Sequence, residues 1–179
     1  GFERTDYPDG YFDIAVGNVP FGDYRVNDPV YNRHGFLIHD YFFAKTLDKL
    51  RPGGVAAFIT TKGTMDKENT KVRQYLFKRA ELLGAVRLPN TAFKNAGTKV
   101  TSDILFLQKR EKEIADPEWI SVTEDAQGIP VNSYFAAHPE MILGTMKEIS
   151  GPYGVETACI ENEGVSLEIQ LRDAIANIT

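Results

Sequence analysis

The tetrapeptide Asn18-Val19-Pro20-Phe21 combines residue types that can act together on an amino group. The exocyclic amine of a nucleobase is a poor nucleophile because its lone pair is delocalised into the ring. A carboxamide oxygen and a main-chain carbonyl oxygen can each accept one of its hydrogens, which favours a localised lone pair and stabilises developing charge. Proline stiffens the turn, and an aromatic ring can stack on the base. The sequence therefore predicts that Asn18 and the Val19 carbonyl hold an amine, in a site shaped by Pro20 and Phe21.

The position of the tetrapeptide favours this functional interpretation. Residues 11–17, just before it, form a mostly apolar run that predicts a buried parallel strand. Ligands of open α/β sheets bind beyond the carboxyl ends of their strands. A Gly17-Asn18 turn with a proline inside would explain the same residues without any function. However, Asn-x-Pro-aromatic is expected by chance only about 0.03 times in a chain of this length.

The elements that must position the tetrapeptide alternate between helix and strand patterns. After a polar stretch that predicts a long loop, the expected elements are a helix over residues 37–50, a strand over 55–60, a helix over 69–81, and strands over 83–88 and 102–108. Arg51-Pro52-Gly53-Gly54 is expected to end the first helix and turn the chain. No helix separates the last two strands, so they are expected to pair as an antiparallel hairpin. The predicted fold class is α/β, with the last strand antiparallel.

The remainder of the chain differs in charge and regularity. Residues 1–111 carry 17 Lys and Arg against 13 Asp and Glu, whereas residues 112–179 carry 3 against 12. We therefore predict a first domain over residues 1–111 and an acidic appendage over residues 112–179, irregular apart from short helices near His138 and over residues 164–178. The mildly basic first part is able to face a polyanion, and the acidic second part is not.

Several segments resemble a known enzyme family. Asn18-Val19-Pro20-Phe21 looks like the catalytic tetrapeptide of the amino-methyltransferases, usually Asn/Asp-Pro-Pro-Tyr/Phe, with Val19 at the first proline position. The order of elements after it resembles the second half of a class I S-adenosylmethionine-dependent methyltransferase. More narrowly, the chain resembles the large bacterial N6-adenine DNA methylases that accompany helicase-like proteins on mobile elements. The segments that carry this narrower resemblance are residues 36–43, 50–54, 61–66, 88–93, 101–104 and 138–141.

The resemblance implies a fold, a reaction and roles for particular residues. The fold would be the C-terminal half of a Rossmann-like class I methyltransferase sheet, and residues 1–111 a partial catalytic domain. The reaction would be methyl transfer from S-adenosylmethionine to N6 of an adenine extruded from double-stranded DNA. Asn18 would accept a hydrogen bond from the target amine, the Val19 carbonyl would take the second hydrogen, and Phe21 would stack on the base. A fused or associated helicase is a further implied partner.

Other side chains are weaker candidates for substrate contacts. Phe93 would touch the flipped base from another side, although a packed loop aromatic explains it as well. A group of basic residues could touch phosphates, but a solvated helix face explains them equally well: Lys62, Lys67, Lys71, Arg73, Lys78 and Arg79. His39 and Asp40 on the first helix could serve as general acids, but an ordinary helix histidine is the simpler interpretation.

The binding motif for the methyl donor is missing from this sequence. The family binds S-adenosylmethionine through a glycine-rich strand–turn–helix before the tetrapeptide, and only 17 residues precede Asn18. The chain starts at Gly1, and its methionines are Met65, Met141 and Met146. We therefore expect a fragment that is inactive alone, with S-adenosylmethionine bound by the full-length parent.

Composition narrows the remaining possibilities. One cysteine and three scattered histidines cannot build a zinc or iron–sulfur site, and the lone Cys159 fits a reducing cytoplasm. No apolar stretch is long enough for a transmembrane helix, so no membrane partner is expected. Two alternatives stay open. The acceptor could instead be guanine N2 in ribosomal RNA or a protein glutamine, or the chain could be a degenerate methylase domain retained for DNA binding or protein interaction.

Overall fold

A four-stranded mixed sheet forms the centre of the protein, which a computed structural model describes over residues 1–178. Its strands are β1 (Phe12–Asn18), β2 (Leu50–Thr61), β3 (Ala80–Leu88) and β4 (Ser102–Lys109), arranged in the order β1-β2-β4-β3. β1 and β2 are parallel, whereas β4 is antiparallel to both β2 and β3. The predicted α/β class and the antiparallel last strand are confirmed.

Three of the strands end at the same edge of this sheet. β1, β2 and β3 run in one direction, because β4 is antiparallel to its neighbours on both sides. Asn18, the last residue of β1, lies opposite Ile59 near the end of β2. Thr61 and Leu88, the last residues of β2 and β3, both lie opposite Ser102. We call this side of the sheet the carboxyl edge, and the tetrapeptide lies on it.

The two predicted helices of this region are present and slightly shorter than expected. They are α1 (Ile38–Lys49) and α3 (Lys71–Arg79), with the short α2 (Gly63–Asp66) between them. None of the helices in residues 1–178 combines the length and hydropathy needed to cross a membrane.

The Pro-Gly-Gly segment forms an irregularity inside β2, whereas the sequence predicted a turn before the strand. Pairing with β1 jumps from Leu50 to Val55, so the intervening residues bulge out of the ladder. Gly53 has a φ of 79°, in the left-handed region. A Cβ atom on Gly54 would lie 2.9 Å from the Arg51 carbonyl oxygen. Glycine at both positions therefore allows β2 to begin directly after α1.

The C-terminal part contains two antiparallel ribbons that the sequence did not predict. β5 (Val122–Glu124) pairs with β6 (Pro130–Asn132), and β7 (Thr145–Gly151) pairs with β8 (Gly154–Ile160). The expected helices are present as α4 (Ser133–Ala137) and α5 (Leu167–Ala176). The description of this part as irregular apart from helices is therefore wrong. Its strands are either three residues long or lack a regular alternation of polar and apolar residues, which leaves a weak sequence signal.

One hydrophobic core joins the C-terminal part to the sheet. Side chains of α1, β2, β3 and β4 pack in the same cluster as buried side chains from beyond residue 111, which include Val131, Phe135, Met141, Cys159 and Ala174. The predicted division at residue 111 stays a prediction about domain organisation, and what the structure shows is that both parts share this core.

β1 forms one edge of the sheet and presents apolar side chains there. Within residues 1–178, β2 is its sole neighbour. Ile14 and Val16 lie two residues apart, so they share a face of the strand. They are 67% and 76% exposed. An unpaired strand with exposed β-branched residues is a template for pairing with another chain.

The isolated chain is therefore expected to self-associate through β1, and Val16→Lys is expected to shift it toward monomer. A lysine at this position places a charge against the incoming strand. Light scattering coupled to size-exclusion chromatography would measure the change. The matched control is Val30→Lys, which alters a valine that is 65% exposed but outside the strands. Equal effects of the two substitutions, or a wild-type chain that is already monomeric, would contradict the expectation.

Candidate active site

Asn18 and Val19 present two oxygen atoms at the carboxyl edge. Asn18 is exposed, and its carboxamide makes no hydrogen bond within residues 1–178. The Val19 amide donates to the Ile59 carbonyl at 2.9 Å, which continues the β1–β2 pairing by one residue. The Val19 carbonyl receives no hydrogen bond from the described part of the chain. Neither oxygen is therefore occupied by a hydrogen bond within the described residues, although Val19 as a whole residue is only 3% exposed.

Alternate burial along the tetrapeptide holds these oxygens in place. Val19 is only 3% exposed as a whole residue and belongs to the main hydrophobic core. Pro20 is half-buried, and Phe21 is 54% exposed. Val19 thus anchors the turn, while the Phe21 ring stays available to a planar ligand such as a base.

A cavity of about 450 Å³ runs along β1 beside Asn18. Its walls are mainly apolar, and among the described residues that line it Lys49 is the one charged side chain. The lining includes the exposed Ile14 and Val16 of the β1 edge, with Phe42 and Phe58 on its other side. The amide of Asn18 therefore faces open space and is not sealed beneath packed side chains.

The long loop between β1 and α1 is fixed over most of its length. The Asp28 carboxylate is buried and accepts hydrogen bonds from Tyr41 at 2.8 Å and from Lys45 at 3.1 Å. Burial alone would raise the pKa of Asp28, but these two donors outweigh it and hold the pKa below its ordinary value. Tyr31 donates to Asp48 near the end of α1 at 2.5 Å. The exposed aromatic residues of the loop, Phe21 and Tyr24, lie before these anchors.

His39 and Asp40 form a buried pair in the first turn of α1. The Nε2 atom of His39 lies 3.4 Å from Oδ1 of Asp40, and both side chains are more than nine-tenths buried. Burial lowers the pKa of His39 and raises that of Asp40, so it favours the uncharged form of each. The Nδ1 atom of His39 is buried without a hydrogen-bond partner in residues 1–178. The simpler interpretation, a fully satisfied helix histidine, is therefore wrong in this detail. No group of three or more potential metal ligands occurs in the described residues.

Phe93 and Lys62 both lie at the carboxyl edge but are engaged by the protein. Phe93, in the connection between β3 and β4, is half-buried against the main core. Lys62 directly follows β2, and its ammonium donates to Oγ1 of Thr157 in β8 at 2.9 Å. Their predicted contacts with the base and the DNA stay predictions.

Two of the other basic candidates are used inside the structure. Arg73 is buried and donates to main-chain carbonyls, including that of Ile120 at 2.8 Å. Arg79 stacks on Tyr75, with 3.7 Å from the guanidinium carbon to the ring centre, and pairs with Glu113 at 2.8 Å. Lys67 and Lys71 are exposed.

A buried ionic cluster beneath the carboxyl edge was missed by the sequence analysis. The Arg87 guanidinium is fully buried and donates to both oxygens of Asp103, at 2.8 and 2.9 Å, and to Asp66 at 2.7 Å. Burial alone would lower the pKa of Arg87, but the two carboxylates outweigh it and raise the pKa above its ordinary value. The other Asp66 oxygen accepts from the Asn132 amide at 3.0 Å, and the Phe135 ring covers the guanidinium at 4.3 Å.

A signal for this cluster was present in the sequence. Arg87 and Asp103 each stand inside an otherwise apolar run that predicts a strand. Since the two runs were expected to pair, opposite charges at these positions indicate a cross-strand ion pair. Asp66 had no comparable signal, because its position depends on α2, which was not predicted. The cluster connects α2 to the ends of β3 and β4 and so supports the carboxyl edge.

Comparison with protein-family models matches residues 2–133 to the family described as N-6 DNA Methylase. This match spans well over half of the chain, including the tetrapeptide and all four strands of the sheet. The chain belongs to the N-6 DNA methylase family. The family predicted from the resemblance is confirmed, and the helix–strand order that it implied is the one observed.

One relative of this chain comes from a bacteriophage. Defense against restriction protein B of Escherichia phage P1 is 36% identical over 113 residues. The alignment covers 61% of this chain but only 5% of the phage protein. The chain thus corresponds to a small part of a much longer relative.

Solved structures with some likeness include three methyltransferase or modification proteins. One from Listeria monocytogenes, described as a class I S-adenosylmethionine-dependent methyltransferase, has 20% identity and a TM-score of 0.49, with coverage of 65% of this chain and 38% of its own. The M protein of the type I restriction enzyme EcoKI has 23% identity, a TM-score of 0.43 and coverages of 55% and 21%. A type I modification subunit from Vibrio vulnificus YJ016 has 18% identity, a TM-score of 0.47 and coverages of 89% and 40%. At these TM-scores the likenesses are too loose to support an inference.

Proposed function

We propose that this chain supplies the catalytic edge of an enzyme that transfers a methyl group from S-adenosylmethionine to N6 of adenine in DNA. The observation that carries the proposal is the pair of free oxygens at the end of β1. Asn18 Oδ1 and the Val19 carbonyl both lack partners within residues 1–178, in a chain of the N-6 DNA methylase family. Two acceptors side by side match an amino group, which offers two hydrogens.

Asn18 and Val19 of the tetrapeptide each accept one hydrogen bond from the amine. The Asn18 carboxamide oxygen accepts one N–H and the Val19 carbonyl accepts the other, which favours a pyramidal nitrogen whose lone pair is localised and no longer delocalised into the ring. When the amine attacks, positive charge grows on the nitrogen, and the two oxygens stabilise that charge. As the new bond from nitrogen to the methyl carbon forms, the bond from that carbon to the donor sulfur would break, and the donor would leave as a neutral thioether. The methylated amine would then be a cation and would release one proton to water. Val19 can replace the first proline of the family motif because only its main-chain oxygen takes part.

Phe21 provides the surface on which an extruded base can rest. Its ring is 54% exposed, although it sits beside the well-buried Val19. An adenine within a duplex cannot bring its amine to Asn18, so it must leave the base stack. Stacking on an aromatic ring offsets part of the stacking energy that is lost. Phe93 lies at the same edge, where a second contact to the base is proposed.

The described residues fit only part of a site for the methyl donor. S-adenosylmethionine supplies an electrophilic methyl group on a sulfonium when it is bound. The apolar cavity along β1 reaches Asn18, but its described lining offers no carboxylate for ribose hydroxyls. β1 also has an unpaired edge on this side, within residues 1–178. We therefore propose that another segment of the parent protein pairs with β1, fills this cavity and contributes the donor site.

The proposed partner is double-stranded DNA. The phage relative is described as a defence against restriction, and the family of this chain is described as N-6 DNA Methylase. Modification and restriction both act on duplex DNA, which agrees with an adenine acceptor. We also propose that the parent protein associates with a helicase, and this proposal rests on the family resemblance alone.

The test is a methylation assay on the full-length parent. Duplex DNA is incubated with the parent and radiolabelled S-adenosylmethionine and is then digested to nucleosides, which are separated. The label is expected in N6-methyl-2′-deoxyadenosine. Label in ribosomal RNA or in protein glutamine, with none in DNA, would overturn the adenine assignment. Retention of DNA by the parent without consumption of the donor would indicate a degenerate binding module.

The isolated chain is expected to bind no donor. Isothermal titration of this 179-residue chain with S-adenosylmethionine should show no heat of binding. Binding in the micromolar range would contradict the proposal that the donor site lies outside this chain.

A further inference from the structure

The connection between β3 and β4, residues 89–101, is a cationic loop that the catalytic scheme does not use. It carries Lys94 and Lys99, both exposed, and contains no Asp or Glu. Neither lysine forms a salt bridge within residues 1–178. Of the six basic residues singled out from sequence, three are committed to internal contacts, as described above. We call residues 89–101 the β3–β4 loop.

The β3–β4 loop lies at the carboxyl edge, beside the catalytic tetrapeptide. It begins after Leu88 and ends before Ser102, which pair with each other and with the end of β2. The Lys62 amide, at the end of β2, donates to the Thr101 carbonyl at 3.1 Å. Two strand spacings separate β4 from β1, so the base of the loop lies about 10 Å from that of the tetrapeptide. That distance corresponds to about three base-pair steps of duplex DNA.

The loop is fixed at its base and open at its tip. The Asn90 amide donates to the Cys159 carbonyl at 2.8 Å, and the Phe93 ring packs against the main core. A short 3₁₀ turn over Lys94–Ala96 follows and ends at Gly97, which has a φ of 80°. The small exposed residues at this tip, Asn95 to Gly97, leave room for a polymer backbone to approach. The ammonium groups are thus presented from a fixed support.

The acidic groups around the loop are already engaged. Thr91 in the loop donates to Glu161 at 2.9 Å. Asp66 and Asp103, below the loop, both pair with Arg87, which balances one of their two charges. At the opposite edge of the sheet, basic side chains also have carboxylate partners, as Arg79 has in Glu113. Lys94 and Lys99 differ from these basic groups because no carboxylate pairs with them within residues 1–178.

We propose that the β3–β4 loop holds DNA phosphates that flank the target adenine, through Lys94 and Lys99. The inference rests on the proposed function, because it assigns the loop to the same DNA substrate. Phosphate contacts of this kind fix the position of the duplex and carry no sequence information themselves. The loop thereby sets the distance between the duplex axis and Asn18.

The salt dependence of DNA binding tests this assignment in the parent protein. Each phosphate contact contributes about 0.9 to the slope of log affinity against log salt. The Lys94→Gln/Lys99→Gln variant is therefore expected to have a slope that is less steep by about 1.8. Between about 50 and 200 mM salt, the variant is then expected to lose about twelvefold less affinity for DNA than the wild-type parent loses. Fluorescence anisotropy with a labelled duplex measures this slope. Lys94→Arg/Lys99→Arg keeps the charges and is expected to keep the slope.

The matched control removes two positive charges from the opposite edge. Lys109→Gln/Lys112→Gln alters positions there, since Lys109 is the last residue of β4 and lies opposite Ala80, the first residue of β3. This control is expected to leave the slope unchanged. A slope that stays unchanged in the loop variant, or that falls equally in the control, overturns the inference.

The outcomes also separate this inference from the proposed function. A parent that methylates adenine with an unaltered slope in the loop variant retains the function but refutes the role of the loop. The parent could also transfer no methyl group while the loop variant alone shows a less steep salt slope. That result would support the loop as a DNA contact and refute the enzymatic proposal. A parent that does not bind DNA refutes both.

Discussion

Replacing Asn18 by alanine in the full-length parent is expected to abolish methyl transfer. Loss of one preorganised polar group that stabilises transition-state charge lowers kcat by about 10²–10³-fold in well-studied enzymes. Here the substitution removes one of only two acceptors for the amine, while Val19 still anchors the turn from inside the core. DNA affinity is expected to stay within about threefold of the wild type, because the contacts that dominate affinity are to phosphates.

Two further variants make this expectation specific. Asn18→Asp keeps an oxygen at the same position and is expected to retain measurable turnover. Asn177→Ala changes an exposed asparagine after α5 and is expected to have no effect. Steady-state kinetics on a duplex containing the target site would measure all three. Turnover of Asn18→Ala within tenfold of the wild type would remove Asn18 from the mechanism.

Replacing Arg87 by methionine is expected to reduce the free energy of unfolding of the chain by about 3–5 kcal/mol. The guanidinium is fully buried and pairs with both Asp103 and Asp66, of whose two negative charges it balances one. Methionine fills much of the space but leaves two carboxylates without a counter-charge in a site sealed from water. Such an uncompensated charge is costly, whereas the intact pair contributes modestly compared with an apolar replacement.

Urea denaturation followed by circular dichroism would measure this effect. Arg51→Met is the matched control, because Arg51 pairs with Asp13 at the surface, where both side chains are more than half exposed. Its expected cost is about 1 kcal/mol or less. If the two variants lose similar stability, the buried cluster does not support the carboxyl edge as described.

The order of elements in the first 111 residues could be predicted because each has a strong local pattern. The apolar run before Asn18 and the helical spacing after Leu37 define their elements without tertiary information. The bulge at Gly53 and Gly54 could not be predicted, since the same residues also suit a turn at the end of a helix. The ribbon of β7 and β8 was missed because polar and apolar residues do not alternate regularly along either strand.

The candidate site was predictable in its position but less so in its surroundings. A polar residue at the end of a parallel strand must lie at the carboxyl edge, which located Asn18. The prediction that this strand is buried is wrong, because β1 is an edge strand whose Ile14 and Val16 are exposed. The engagement of Lys62 with Thr157 depends on a ribbon almost one hundred residues away in sequence. Likewise, Asp66 joins Arg87 only because α2 brings it over the ends of β3 and β4. Long-range contacts of this type leave no trace in local composition.

The anchoring of the loop between β1 and α1 has a thermodynamic consequence for substrate capture. Ordering a flexible segment costs about 1–2 kcal/mol for each residue whose backbone becomes fixed. Asp28 and Tyr31 hold their part of the loop against α1 through Tyr41, Lys45 and Asp48. The backbone entropy of this part of the loop is already lost when the protein folds. Only the few residues around Phe21 therefore lose conformational entropy when a base binds. A larger part of the interaction energy therefore contributes to the binding affinity for the substrate.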